Sequence, residues 1–462
     1  MRRSLAGEAR RASAGLVAPA TGEQWAKRPG QTPTFDAGEA DPYSGLDRFG
    51  RVIDLTWIDT RATDEDRKVV DRFQYAYDAA GNKLYELNVL NPALSDLYHR
   101  RQEHARTAYD PLGRLRWYYR GALLATGDGR LNDVNGGTLT TRWKWTLDAE
   151  GQWTRVWTRP GTTYTLRGGK YVSKKDAEGN QTESNVPAGF ARDSSYDAWN
   201  RLVKSETKSA SAEASALAHI TYTYDALGRL IAESRTRDQH EVITAFYHAA
   251  GWQSIHEHTR KLIDGQEQTD KTRRTDNVWS LAYVDAMAFC EQRDGAGAKT
   301  ARYAPTQDAQ WNVTALVELA LTAAEPRSGP AAVLRRYLYT PYGLVRTRQA
   351  DWSAKPAGGF ETGVDWRYFH QGGYRCVSVL GLDGDKLYHF RRRSYDPFRG
   401  QWLQRDPAGY LDSLNLHEYL GNSPLNYLDP RGEFLICGSI LLTAVIVGAA
   451  TGAAAGAGVY TA

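Results

Sequence analysis

Residues 222–231 read Tyr-Thr-Tyr-Asp-Ala-Leu-Gly-Arg-Leu-Ile, and the fold follows from how this stretch must run. Tyr222 and Tyr224 alternate, which places both rings on one face of a strand, where aromatic side chains pair across neighbours. Asp225 is suited to accept a hydrogen bond from the backbone two residues on, and Gly228 supplies a positive φ without a Cβ clash, so the chain reverses there. Arg229 and Leu230 then open a second strand and resume the alternation. A single segment of this kind is a generic hairpin. This one recurs as a kernel, aromatic-x-aromatic-Asp-x-x-Gly-Arg/Asn-x-apolar, starting at Tyr43, Tyr75, Thr107, Trp145, Ser194, Tyr222, Tyr337 and Ser394. Well-formed copies lie about 30 residues apart, with longer insertions before Trp145 and before Tyr196, a spacing typical of stacked repeats that cannot bury an apolar face singly. The periodicity predicts an all-β coil of hairpins, and by itself it permits an open solenoid or a β-propeller equally.

Composition supports strands and turns. Among 462 residues there are 43 Gly, 27 Tyr and 14 Trp against 2 Met. The 58 basic and 54 acidic side chains are interleaved and leave a net +4, which argues against a nucleic-acid partner held by a broad basic surface. Cys290, Cys376 and Cys437 lie far apart with no CxxC pair, so neither a disulfide framework nor a zinc site is encoded. The aromatic residues have two readings: packing between strands, the commoner use, or a surface that stacks on carbohydrate or protein partners.

The two ends differ in kind. Residues 1–34 read as a disordered lead-in or an arbitrary start within a longer protein. Residues 14–20 are interrupted by a glycine and a proline, which is no secretory signal, so export by a cleavable signal is not expected. Residues 434–462 carry no charge, and as a helix they would exceed the roughly 30 Å hydrocarbon core of a bilayer. Gly448, Gly452 and Gly456 would share one helical face, the small-xxx-small pattern of close helix association in lipid. The alternatives are an apolar plug buried in the protein or a β segment. Residues 208–219 read as a flexible excursion or a short exposed helix, and residues 322–332 as a long hairpin loop.

Residues 395–433, YDPFRGQWLQRDPAGYLDSLNLHEYLGNSPLNYLDPRGE, closely resemble the RHS-repeat-associated core that closes RHS/YD-repeat proteins, and the upstream kernels resemble that family's repeat. The resemblance implies a teneurin-like YD shell, a β-strip winding into a partial shell or cocoon. The chain then divides into a lead-in (1–34), the repeats (35–394), the core (395–433) and the apolar tail (434–462). It also implies a scaffold of the polymorphic-toxin or cell-surface class without a folded payload. Such a protein needs no cofactor or metal, and its partners are other RHS-system or secretion components, with the membrane a further one through residues 434–462. Its expected location is the membrane or cell surface, or secretion by a route without a cleavable signal.

In some relatives the core resembles an aspartyl autoprotease cutting just beyond its DP-x-G motif. Carried over, Asp406 and Asp429 are the paired carboxylates, Arg405 stands beside the first, and cleavage falls near Glu433 and Phe434. Two carboxyls brought together cannot both ionise comfortably, so one serves as acid while the other activates water. In the structural reading both aspartates open Asp-Pro turns, with Pro407 and Pro430 second. The core departs from the family at His417, at Asp412-Ser413 and at Glu433, the last altering the expected cleavage site. Elsewhere, His256-Glu257-His258 puts two imidazoles on one strand face without a third ligand nearby, and Arg391-Arg392-Arg393 reads as a charged outward edge. No Gly-rich phosphate loop, GxSxG elbow or EF-hand spacing occurs.

Overall fold

The structure, a computed structural model, describes residues 16–17 and 45–437, apart from 60–67, 100–107, 126–130, 160–161, 166–172, 187–189, 210–215, 282, 320, 322–331, 355–363, 377–386 and 412. These residues are all-β, with short 3-10 turns and no α-helix among them. The strands form a nine-stranded sheet running from Leu16–Val17 to Thr162–Thr165 and a fifteen-stranded sheet from Ser173–Lys175 to Val345–Arg348. Pairing is antiparallel and follows chain order, as a repeated hairpin dictates. There are two exceptions: the hairpin of Leu123–Ala125 with Leu131–Val134 stands outside the first sheet while Trp117–Arg120 pairs directly with Thr141–Leu147, and Gln266–Glu267 pairs only with the end of Ser254–Ile263, which itself pairs directly with Arg273–Trp279. A four-stranded sheet from Tyr374–Cys376 to Gln401–Trp402 and a ladder of Tyr427–Leu428 with Ile436–Cys437 complete the closing core.

Each kernel turn is closed by its own side chains. Asp225 Oδ1 accepts the backbone N–H groups of Leu227 and Arg229, both at 2.9 Å, and its Oδ2 accepts Arg229 Nε at 2.7 Å. Gly228 has φ +82°. Between repeats a second bond acts as a ruler. The hydroxyl of the kernel tyrosine donates to the carbonyl just after the preceding kernel's Arg or Asn: Tyr77 to Val52 (2.9 Å), Tyr109 to Lys83 (3.0 Å), Tyr196 to Gln181 (2.7 Å), Tyr224 to Leu202 (2.9 Å) and Tyr339 to Val313 (2.8 Å). The kernel Arg also bridges repeats, as Arg201 does by donating to Asp225 O at 3.1 Å. Turns of the same construction occur at Asp176 and Asp294, which the sequence reading passed over, and Asp176 fills the long gap before Tyr196. Trp252, Trp311 and Trp352 occupy the left-handed position where glycine usually stands. Their rings are packed in return: Arg392 lies over Trp252 at 4.8 Å, Arg336 over Trp352 at 4.4 Å, and Tyr283 stacks on Trp311 at 4.8 Å.

The strip coils back on itself. Trp57 Nε1 donates to Gln307 O (2.9 Å), Arg336 Nη2 to Val70 O (3.0 Å) and Ala309 N to Tyr75 Oη (3.2 Å), joining the first sheet to the end of the second. Fully buried Trp145 anchors the main core, with Tyr342 edge-on at 4.8 Å. Tyr342 Oη donates to Leu115 O (3.2 Å) and Asn422 O (3.1 Å), so one hydroxyl ties both sheets to the closing core.

Some expectations are corrected, and others fall outside the described residues. At the start of the apolar tail Ile436–Cys437 form a strand in place of a helix, because Tyr427–Leu428 offer them a ladder edge; the rest of the expected helix, residues 438–462, lies outside the described residues. No helix among the described residues is long and apolar enough to cross a membrane. In place of an excursion or helix at 208–219, strands Leu202–Ser209 and Ala216–Tyr224 pair there, with residues 210–215 outside the described residues. Of the lead-in, Leu16–Val17 pair with Asp59 and Ile58, and the rest lies outside the described residues. Residues 322–331 are likewise outside, between the paired strands Val313–Glu318 and Ala332–Tyr339.

Candidate functional site

The arginine triplet is no outward edge, because strand Arg393–Asp396 is buried on both faces. Arg391 turns inward to Asp285 at 2.6 Å, and Arg393 is 2% exposed. Only Arg392 stays half-exposed, pairing with Glu433 at 3.2 Å.

Arg393 organises the site. Its Nη1 lies 2.8 Å from Asp406 Oδ2, its Nη2 lies 3.1 Å from Asp429 Oδ2, and its Nε donates to Gly432 O at 2.6 Å. The ring of Trp402 backs the guanidinium at 4.3 Å. Each aspartate also opens an Asp-Pro turn. Asp406 Oδ1 accepts Ala408 N at 2.8 Å, and Asp429 Oδ1 accepts Glu433 N at 3.1 Å. The second turn repeats the kernel geometry, with Gly432 at φ +66°; a Cβ there would stand 2.7 Å from Phe390 O. The two aspartates form turns, and the fold also brings them to one guanidinium. Arg405 is not brought in. Its Nη1 donates to Glu178 O at 3.0 Å, on the neighbouring repeat.

Burial pushes the Asp429 carboxyl up to about 6, with Arg393 and the N–H groups of Glu433 and Gly432 pulling against it and the Asp406 charge adding to the rise. A small cavity borders the group, with Ser413, Glu418 and Leu435 in its wall. The Gly432–Glu433 peptide is thus held at both ends, its oxygen by Arg393 and its nitrogen by Asp429. Charge developing on that oxygen would meet a fixed cation, and the nitrogen faces a carboxyl able to hold a proton near neutral pH. Phe434 follows, 41% exposed. Sequence reasoning missed Arg393, whose only signal was the alternation of a short strand whose burial depends on distant elements.

The histidine stretch does not converge. His256 Nδ1 pairs with Asp276 Oδ1 at 2.7 Å, whereas Glu257 faces inward to Asn277 Nδ2 (2.8 Å) and Tyr368 Oη (2.6 Å). No group of three metal-type ligands occurs among the described residues. His417, in the core, has its Nδ1 at 3.1 Å from Trp402 O, and burial lowers its pKa to about 4.

No protein-family model matches the chain. Sixty-one residues are 43% identical to Toxin subunit YenC2 of Yersinia entomophaga, over 13% of this chain and 6% of that protein. A stretch of 104 residues is 33% identical to Toxin subunit YenC1 of the same organism, over 22% and 9%. A stretch of 125 residues is 38% identical to Salivary gland surface protein 1 of Aedes aegypti, over 26% and 3%. Among solved structures, the Photorhabdus luminescens Tc holotoxin pore with a TccC3 mutation superposes with a TM-score of 0.60 at 15% identity, over 91% of this chain and 18% of that one. The TcdB2-TccC3 crystal structure gives 0.59 at 17% identity, over 83% and 18%. The chain thus matches under a tenth of each curated relative and about a fifth of each solved chain, and at these structural identities the likeness is one of fold. The repeated Tyr-Asp turn, the coiled strip, its closing core and these likenesses give the chain the shell fold of the RHS/YD-repeat proteins it resembles.

Proposed function

We propose that the chain is a wall-and-cap segment of an RHS/YD shell, a scaffold in a toxin-type or cell-surface system that turns over no external substrate. The observation that carries this reading is the wiring of the closing core into both sheets: Tyr342 and Asn422 join residues on the first sheet, the second sheet and the core, and Trp153 Nε1 donates to Asn422 Oδ1 at 2.8 Å. A wall built this way works by enclosing, and its partners are further components of the same system, as the toxin-subunit relatives suggest. Small-angle scattering tests it. Laid out flat, the nine and fifteen strands of the two sheets would span about 115 Å at roughly 4.8 Å per strand and give a radius of gyration above about 30 Å. A coiled strip of this length is expected near 21–25 Å. A value above about 30 Å refutes the closed shell.

A second reading, favoured by the grip on the Gly432–Glu433 peptide, is a single self-cleavage between Gly432 and Leu435. In it Asp406 takes a proton from water, the hydroxyl adds to the Gly432 carbonyl carbon while Arg393 holds the oxygen, and Asp429 delivers a proton to the leaving Glu433 nitrogen. Intact mass on native, unheated protein is the test, because Asp-Pro bonds hydrolyse in hot acid. Cleavage is expected to disappear in Asp406→Asn and in Asp429→Asn with the shell still folded. Cleavage persisting in either variant removes the pair from the reaction. An uncut wild type that cuts once Glu433 is replaced by leucine assigns the block to that residue.

A further inference from the structure

The face of the second sheet turned away from Cys290 carries a row of basic side chains that the scaffold does not need. His258 stands directly opposite Arg274, Arg274 opposite Arg293, and Arg293 opposite Lys299, on four successive strands. Side chains directly opposite one another share a face, and like charges so placed are destabilising. The acids beside the row are already shared. Glu291 accepts Arg302 (2.5 Å), Lys299 (2.9 Å) and Arg293, while Asp276 takes Arg293 at 3.2 Å and His256 at 2.7 Å. Arg260 reaches Glu267 only at 3.6 Å, and exposed Arg274 has no ion-pair partner among the described residues. The local field is visible in His258, whose pKa is held below its ordinary value by burial and then by the charges of Arg274 and Arg260. One row over, directly opposite His256 and 5.4 Å from its ring, stands Tyr247, 54% exposed.

We propose that this face binds a linear sulfated polysaccharide, laid across the strands. Neighbouring strands lie about 4.8 Å apart, so Arg274, Arg293 and Lys299 offer a cation at roughly that interval over about 10 Å, the spacing of anionic groups along such a chain, with neutral His258 at the end of the row as a hydrogen-bonding group. Tyr247 supplies an apolar ring face for a sugar at the edge of the row, and the cations take the sulfates. The chain's overall charge of +4 gives none of the long-range attraction on which nucleic-acid binding draws. The proposal goes beyond the shell reading and stands or falls independently of it.

Binding of a short heparin oligosaccharide to the full chain is measured by titration calorimetry at several salt concentrations. The variants are Arg274→Ser with Lys299→Ser, and Tyr247→Ala alone, with circular dichroism checking that each retains its β spectrum. Arg274→Gln, which keeps the stem of the side chain, is the reserve if the double variant misfolds. The double variant is expected to bind at least tenfold more weakly and to lose about one displaced counterion per cation removed. Tyr247→Ala should weaken binding severalfold with the salt dependence unchanged. Unchanged affinity in the double variant, no binding by the wild type, or equal binding to phosphatidylserine vesicles or single-stranded DNA overturns the proposal.

Discussion

Asp429→Asn offers the sharpest test of the core, because burial has given this carboxyl a pH signature of its own. Its pKa rises from the ordinary 3.8 to about 6 in the folded chain. A raised carboxyl binds its proton more tightly folded than unfolded. Its contribution to stability is therefore fully present below 3.8 and is lost as pH rises through about 6. At roughly 1.36 kcal/mol per pH unit, the gap between those values amounts to about 3 kcal/mol. Asparagine keeps the size and the acceptor for Glu433 N but cannot titrate. Urea unfolding of wild type and variant at pH 4 and pH 7.5 isolates this group, since every other titrating residue is common to both. Relative to the variant, the wild type should lose about 2–3 kcal/mol between the two pH values. Profiles that run parallel within about 0.5 kcal/mol would mean that Asp429 is not held in the environment described, and the argument for a proton on it near neutral pH would fall. Asp406→Asn should move the loss to lower pH, because the Asp406 charge adds to the rise.

Other perturbations test the repeat and its closure. Tyr224→Phe deletes the hydroxyl that donates to Leu202 O and should cost about 1 kcal/mol by urea unfolding; no loss would show that the ruler between repeats is not a stabilising contact. Gly228→Val should cost about 1–3 kcal/mol through backbone strain, since a Cβ there meets nothing nearer than Arg392 Nη1 at 3.9 Å; a neutral result would contradict the positive φ. Trp145→Ala should cost about 3–5 kcal/mol and loosen the joint at Tyr342, visible as faster proteolysis within the core. Arg393→Met leaves two carboxylates and Gly432 O without their cation and should destabilise by about 3–5 kcal/mol at pH 7, with much of the loss recovered in acid.

The kernel Tyr-x-Tyr-Asp-x-x-Gly-Arg was sufficient to specify the turns, because every bond that closes one lies within four residues: Asp225 accepts from Leu227 and Arg229, and Gly228 provides the left-handed step. The all-β class, the chain-order pairing and the family resemblance were legible for the same reason. The kernels at Asp176 and Asp294 escaped notice because they lack the aromatic pair, yet in each the carboxylate accepts the backbone N–H four residues on, as Asp225 does. The tertiary structure alone decided whether the strip closes. That depends on contacts such as Trp57 with Gln307 and Tyr342 with Leu115, which join residues more than two hundred positions apart and leave no periodic trace. It also decided which arginine serves the two aspartates. Arg405 adjoins Asp406 in sequence, but its side chain follows the backbone outward to Glu178, while Arg393 comes in on a strand buried on both faces and reaches both carboxylates. A strand's alternation tells which side chains share a face; which face is covered depends on what the rest of the chain packs against it.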